Sequence, residues 1–363
     1  MSSKMITPET SPPPPDPAGR RDLKALSRPD LIRWLGERGI APYRADQIHG
    51  WIYGRQADTF GEMTDLKKEI RALLSEYFTI DRLRREALET AGDGTRKLLF
   101  GLSDGEYIET VLIPERDHYT LCLSTQVGCA QGCRFCLTAA GGFIRNLTAA
   151  EIIAQVRDVA ALIDPDDPRR LSNLVFMGMG EPLANYGALI SALSVITDND
   201  HGLRFSTRRV TVSTAGLVPK MADLGRDTAV NLAVSLNATE DRTRDRLMPI
   251  NRRYSLDALM AACRDYPLRP HRRITFEYIL IRDINDTPDD ARRLVRLLRP
   301  IRAKVNLIPF NEHPGGDFRR PDPDTVLAFQ QILIDAHYTA IIRKSKGAEI
   351  SAACGQLRGR RAG

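Results

Sequence analysis

Three cysteines, Cys129, Cys133 and Cys136, stand in C-x3-C-x2-C spacing, which sets three thiolates on one short loop and leaves any metal they hold one ligand short. A structural zinc site closes on four protein ligands, whereas an iron–sulfur cluster with one unligated iron keeps a position open for chemistry. Gly128 and Gly132 lie where the chain must fold tightly around such a group. The loop therefore reads as the holder of an open cluster. A zinc knuckle completed by a distant histidine and three unrelated core cysteines are the alternatives. Packing alone rarely places three of six cysteines within eight residues.

A second constellation follows at Gly178-Met179-Gly180-Glu181-Pro182, directly after an apolar strand pattern. The glycine pair lets backbone approach a ligand, and the carboxylate of Glu181 can accept hydrogen bonds from an ammonium group. Ser213, the run Ser235-Leu236-Asn237, and Asn311 each end an apolar stretch and offer small polar groups suited to a ribose or an adenine edge. Each could equally cap a helix or a turn. Of the other cysteines, Cys263 lies on the apolar stripe of a helix and reads as packing. Cys354 sits among small residues and Cys122 on a strand shortly before the cysteine loop, so the two thiols could converge on one substrate. Glu109 is a lone carboxylate in the apolar run Tyr107–Ile113, facing either chemistry or water at a sheet edge.

The elements that must position these groups read as an α/β fold. Strand patterns at Tyr119–Ser124, Asn173–Met177, Arg209–Ser213, Ala229–Leu236, Arg273–Ile281, Lys304–Pro309 and Thr339–Arg343 alternate with helical ones. Thr148 with Glu151, Thr287 with Pro288, and Ser255 supply helix starts. Strict β/α alternation predicts a parallel sheet with right-handed crossovers, here a partial (β/α)6-type barrel with working residues at its strand ends. Five segments are expected. They are a proline-rich disordered tail (1–20), a helical N-terminal domain of RNA-binding type (21–85), a β-hairpin linker turned by Asp104-Gly105 (86–118), the barrel (119–345), and a basic segment carrying Cys354 (346–363).

Composition narrows the class. The 363 residues carry a net charge of +6, and six basic residues against Glu349 fall between Arg343 and Gly363, flanking Cys354 as candidate phosphate contacts. No run approaches the ~18 apolar residues of a membrane span. Six cysteines in so long a chain do not form a secreted disulfide framework, so the cytoplasm is expected.

Taken together, the cysteine loop and the Gly180-Glu181-Pro182 turn resemble the signatures of radical S-adenosylmethionine enzymes. The resemblance is closest to their RNA adenine-C2 methyltransferase family. Tyr43–Ile48, Met63–Leu66, Met248-Pro249-Ile250-Asn251, Asn306–Pro309 and Ala352–Leu357 match that family, and the likeness spans about residues 22 to 358. It implies a radical S-adenosylmethionine barrel with a 4Fe–4S cluster on Cys129, Cys133 and Cys136. It also implies S-adenosylmethionine contacts at Gly180, Glu181, Ser213, Ser235, Leu236, Asn237 and Asn311. Asn237 departs from the family's usual histidine after Ser-Leu, and Glu349 stands where aspartate is more common.

The same resemblance implies that Cys354 takes a methyl group from one S-adenosylmethionine. A 5′-deoxyadenosyl radical from a second then removes hydrogen from that methyl, and the resulting carbon radical adds to C2 of adenine. Glu109 would accept the C2 proton, and Cys122 would resolve the crosslink, leaving a transient Cys122–Cys354 disulfide. The implied substrates are an adenosine of the peptidyl-transferase centre in 23S rRNA and the adenosine beside the anticodon of tRNA. A flavodoxin-type electron donor and a monomer are expected. The alternatives are a C8-methylating sister enzyme of the antibiotic-resistance type, and a non-enzymatic metal-knuckle RNA-binding protein.

Overall fold

The computed structural model describes residues 19–313 and 316–359. Most of the proline-rich start, together with Arg360 and Arg361, lies outside the described residues. A helical unit comes first, with α1 (Arg28–Gly36), α2 (Arg44–His49) and α3 (Lys68–Tyr77) beside the short pair β1 (Arg21–Asp22) and β2 (Phe78–Thr79). Ser27 caps α1 through the Asp30 amide, and Leu31, Leu35, Ile48 and Ile52 form the buried side.

Three strands follow: β3 (Arg84–Thr90), β4 (Arg96–Gly101) and β5 (Tyr107–Pro114). They are an antiparallel meander, and β5 pairs antiparallel with β6 (His118–Cys122), so the hairpin turned at Asp104-Gly105 is β4–β5, joined by a third strand and continuous with the main sheet. β3 escapes sequence reading because its residues, Arg84 to Thr90, are nearly all exposed and show no apolar alternation. Its partner strands carry the buried face.

From β6 the chain passes β7 (Gln126–Gly128), α4 (Leu137–Ala140), β8 (Phe143–Asn146) and α5 (Ala149–Ala160) before β9 (Arg170–Phe176). Then α6 (Tyr186–Ile196), β10 (Val210–Thr214), α7 (Val218–Asp227) and β11 (Asn231–Ser235) follow. After α8 (Asp241–Leu247) and α9 (Leu256–Arg264) come β12 (Ile274–Leu280), α10 (Pro288–Leu298), β13 (Ala303–Pro309), α11 (Pro323–Asp335) and β14 (Ala340–Ile342). The ten-stranded sheet runs β14-β13-β12-β11-β10-β9-β6-β5-β4-β3, with parallel pairing from β6 through β14. That is the expected open β/α barrel, flanked by the meander. The capping box at Thr148/Glu151 starts α5 and the cap at Thr287 with Pro288 starts α10 as the sequence indicated, and Asp290 completes a second box at Thr287.

Gln155 of α5 joins meander to barrel. Its Oε1 accepts from Thr110 Oγ1 and from the Ser124 amide, both at 2.9 Å, while its Nε2 donates to the Ser124 carbonyl at 3.0 Å. All these groups are buried, so each would be left unsatisfied without the amide. Replacing Gln155 by Leu is expected to lower unfolding stability by about 2–4 kcal/mol, read as a lower urea midpoint with an unchanged slope.

Candidate radical S-adenosylmethionine site

Both ends of the cysteine loop are clamped. Gly128, at φ +73°, sits so close to Gly142 that a Cβ would stand 2.0 Å from the Gly142 carbonyl oxygen, and Cys129 N–H donates to that same oxygen at 2.7 Å. In the middle, Arg134 N–H donates to the Leu247 carbonyl at 3.0 Å, and Phe135 packs with Leu247, Met248, Ile250 and Phe310. At its far end, Leu137 N–H donates to the Gly355 carbonyl and Thr138 Oγ1 to the Leu357 carbonyl, each at 2.7 Å. The loop therefore meets the last segment of the chain.

All three thiols line a cavity of about 670 Å³ that also takes in Cys122, Cys354, Gly180, Glu181, Ser213, Ser235, Asn237 and Asn311. The structure thus gathers nearly every candidate that the sequence nominated. Two are placed elsewhere. Leu236 is buried in the core with its N–H donating to the Glu277 carbonyl and its own carbonyl accepting from Arg244, so it shapes the turn and is not part of the cavity lining. Glu109 is buried inside the sheet, not at a wet edge. Its Oε2 accepts from the amides of Arg358 at 2.6 Å and Gly359 at 3.2 Å, and Lys97 Nζ lies 3.4 Å from Oε1.

The donor set fits a cluster. Burial pushes the Cys129 thiol up to about 12 and Cys133 well above its ordinary value, with neighbouring Cys136 adding to both. Thiolates packed this way need a multiply charged cation to hold their charge. Among the described residues no group of three or more His, Cys, Asp or Glu side chains is arranged around a single metal ion. Cluster ligands bind different irons, so their sulfurs stand farther apart than those of a mononuclear site.

Glu181 shapes the neighbouring wall. Its oxygens accept from the amides of Leu183 at 3.1 Å and Ala215 at 2.7 Å, and desolvation raises its pKa to about 7 against those bonds. Gly180 adopts φ +99°, and a Cβ there would come within 2.6 Å of Gln126. Cys263 is buried on α9, away from the cavity lining.

One residue of the site was invisible in the sequence. Arg244, in the charged run Asp241–Leu247, is fully buried and ties the strand ends together. It donates to the carbonyls of Ala215 at 2.7 Å, Leu236 at 3.1 Å and Ser235 at 3.3 Å, and to Asn251 Oδ1 at 3.0 Å. Only the i, i+7 pairing with Asn251 of the Met248–Asn251 segment could have hinted at it.

An open parallel barrel with a cysteine loop after its first strand and a glycine–glutamate turn after its second defines the class. It is a radical S-adenosylmethionine enzyme, and the Radical SAM superfamily model matches residues 123–298. A second model, the ribosomal RNA large subunit methyltransferase N-terminal domain, matches residues 21–80. The dual-specificity RNA methyltransferase RlmN of Desulfosudis oleivorans is 58% identical, over 93% of this chain and 90% of its own length. That of Geobacter sulfurreducens is 57% identical, over 93% and 92%. The crystal structure of a radical SAM methyltransferase from Sphaerobacter thermophilus superposes with a TM-score of 0.88 at 44% identity, covering 94% of this chain and all of that one. The chain belongs to the RlmN family.

Changing any one of Cys129, Cys133 or Cys136 to Ala should prevent anaerobic reconstitution with iron and sulfide, seen as loss of the cluster's visible absorbance. Wild-type protein that takes up zinc alone would sink the cluster assignment.

Proposed function

We propose that this chain methylates C2 of an adenosine in 23S rRNA and of the adenosine beside the anticodon in tRNA, through an S-methylated Cys354. One observation carries the reading: Cys354 and Cys122, which lie 232 positions apart in the chain, line the same cavity as the three loop cysteines. When bound, the cluster and S-adenosylmethionine supply a transferable methyl group and a hydrogen-abstracting radical.

The chain's own groups do the rest. Gly180, Glu181, Ser213, Ser235, Asn237 and Asn311 line the cavity and seat the cofactor, while Leu236 holds the turn between two of them. Cys354 is exposed toward the cavity and accepts the methyl group as its thiolate. The nucleotide enters unstacked, and Lys344 and Lys346 at the cavity wall grip its phosphates. Glu109 takes the C2 proton with Lys97 as its counter-ion, after the Arg358–Gly359 backbone lifts from its carboxylate. Cys122 then attacks Cys354 Sγ, so that the disulfide forms as the sulfur–methylene bond breaks, its electron pair leaves with the methylene carbon, and protonation there gives the methylated base. Burial holds the Cys122 thiol protonated, with Cys354 adding to the effect, so it stays inert until that step. Among the described residues no helix is long and apolar enough to cross a membrane. A flavodoxin-type donor would reduce the cluster of a monomeric enzyme.

Incubation of reconstituted enzyme with protein-free 23S rRNA and with tRNA should yield 2-methyladenosine by mass spectrometry and co-migration. An 8-methyl product would overturn the C2 assignment. Cys354→Ala should lose methylation entirely while still forming 5′-deoxyadenosine, and wild-type-like methylation would remove Cys354 from its carrier role.

A further inference from the structure

The cysteine loop has a second face. Its thiols line the cavity, whereas Ala130, Gly132 and Arg134 are exposed and take no part in that lining. This outward side is backed by α8 and the short turn Pro249–Arg252. Arg134 N–H donates to the Leu247 carbonyl at 3.0 Å, and a Cβ on Gly132 would stand 3.6 Å from Pro249 Cγ. Cys133 and Cys136 pack against the apolar group of Leu247, Met248 and Ile250 beneath, so α8 and the turn form the outer shell of the loop.

The charge on this shell is one-sided. From Arg242 to Arg253 the chain carries five arginines against one acid, Asp245. Arg244 is taken up inside by the strand-end carbonyls, and Arg253 lies over the Tyr254 ring. Asp245 and Asp241 turn inward. Both accept from Asn251 Nδ2 at 2.8 Å, and Asp241 accepts from the Leu256 amide as well. Arg134, Arg242, Arg246 and Arg252 are left exposed, and among the described residues none of the four has an ion pair or a side-chain hydrogen bond. Elsewhere arginines are matched, as Arg82 is with Asp58, Arg145 with Glu151 and Arg169 with Asp167. Four unmatched cations therefore raise the potential over the loop that holds the cluster.

We propose that Arg134, Arg242, Arg246 and Arg252 form the docking face for a small acidic one-electron carrier protein that reduces the cluster, an inference that rests on the cluster reading above. The place of the patch selects the partner. Reductive cleavage needs an electron that the chain itself does not supply, and electron transfer falls off steeply with distance, so the carrier must settle on the surface nearest the loop. The groups given to RNA lie elsewhere: Lys344 and Lys346 line the cavity, and the segment carrying Cys354 meets the loop at its far end, Leu137 and Thr138. One electron leaves the carrier's reduced group and enters the cluster, so the carrier is oxidised by one electron and the cluster reduced by one, with no bond formed or broken at the interface. Carboxylates of the carrier meet the guanidinium groups, which steer the encounter and set its orientation. Solvated charges of this kind speed association more than they slow departure, which suits a carrier that must leave after each electron.

Arg242, Arg246 and Arg252 stand off the loop, so changing all three to Gln tests the face without altering a cluster ligand. The probe is a bacterial flavodoxin with an acidic surface. Its affinity for reconstituted enzyme, measured by anaerobic calorimetry at low salt, should fall roughly tenfold in the Gln variant, and the gap should shrink as salt is raised. Changing the same three residues to Lys should keep most of the affinity, since the charge stays. With flavodoxin hydroquinone as reductant, formation of 5′-deoxyadenosine should slow to match the lost binding, whereas dithionite, which needs no docking, should drive wild type and both variants alike. Equal flavodoxin affinity in wild type and the Gln variant would overturn the proposal, as would wild-type binding that salt does not weaken. Loss of tRNA affinity in the Gln variant with flavodoxin affinity unchanged would also overturn it and make the face an RNA contact. Wild-type enzyme that forms no 5′-deoxyadenosine even with dithionite would instead sink the cluster reading.

Discussion

The pair of hydrogen bonds from Leu137 N–H and Thr138 Oγ1 to the carbonyls of Gly355 and Leu357 holds the end of the chain against the cysteine loop, and the site exists only while that seam is closed. Each bond is worth about 1 kcal/mol net, and together they hold the segment that carries Cys354 beside the loop. Glu109 reinforces it from the other side through the Arg358 and Gly359 amides, and Lys97 adds a bond to the Ile350 carbonyl at 2.6 Å. Helix α4 and two neighbouring strands, β4 and β5, thus fix one short segment.

The proton-acceptor role proposed for Glu109 competes with this structural one. As a carboxylate it accepts charge-assisted hydrogen bonds from the backbone of the Cys354 segment, which are about twice as strong as neutral ones. In the proposed reaction the segment must leave this carboxylate before Glu109 can take the C2 proton, so the strength of these two bonds sets the cost of uncovering the base.

The cysteine loop, the glycine–glutamate turn and the strand order were legible in the sequence because each is written locally. Ligand spacing, glycine placement and β-branched runs act over a few residues. The capping boxes were readable for the same reason. What stayed hidden acts at long range or against expectation. β3 is an exposed edge strand with no apolar period, and β7 and β8 are too short to show one. Arg244 lies in a run of charges that reads as a wet helix face, and only the fold reveals four acceptors waiting for it. Glu277 breaks the apolar pattern of its strand in the same way as Glu109, yet Glu109 ends among backbone amides and Glu277 at the cavity wall. Sequence periodicity gives a side chain's face but not what lies beyond it.

Asn237 shows how backbone shape can outrank side-chain chemistry at the cavity mouth. It adopts φ +57°, a left-handed conformation that asparagine and histidine tolerate better than most residues. Its Oδ1 accepts from the Ile279 amide at 2.8 Å, and its carbonyl accepts from Asn285 Nδ2 at 2.7 Å. Asn285 also accepts from the Ile281 amide at 2.7 Å, so two asparagines satisfy the polar groups left where β11 and β12 diverge. The position demands a residue that can turn left-handed and accept one hydrogen bond toward β12. Either an amide oxygen or an imidazole nitrogen meets that demand. The exchange of histidine for Asn237 therefore keeps the turn that presents Ser235 to the cavity, and what the site takes from this position is its backbone course, not a ring.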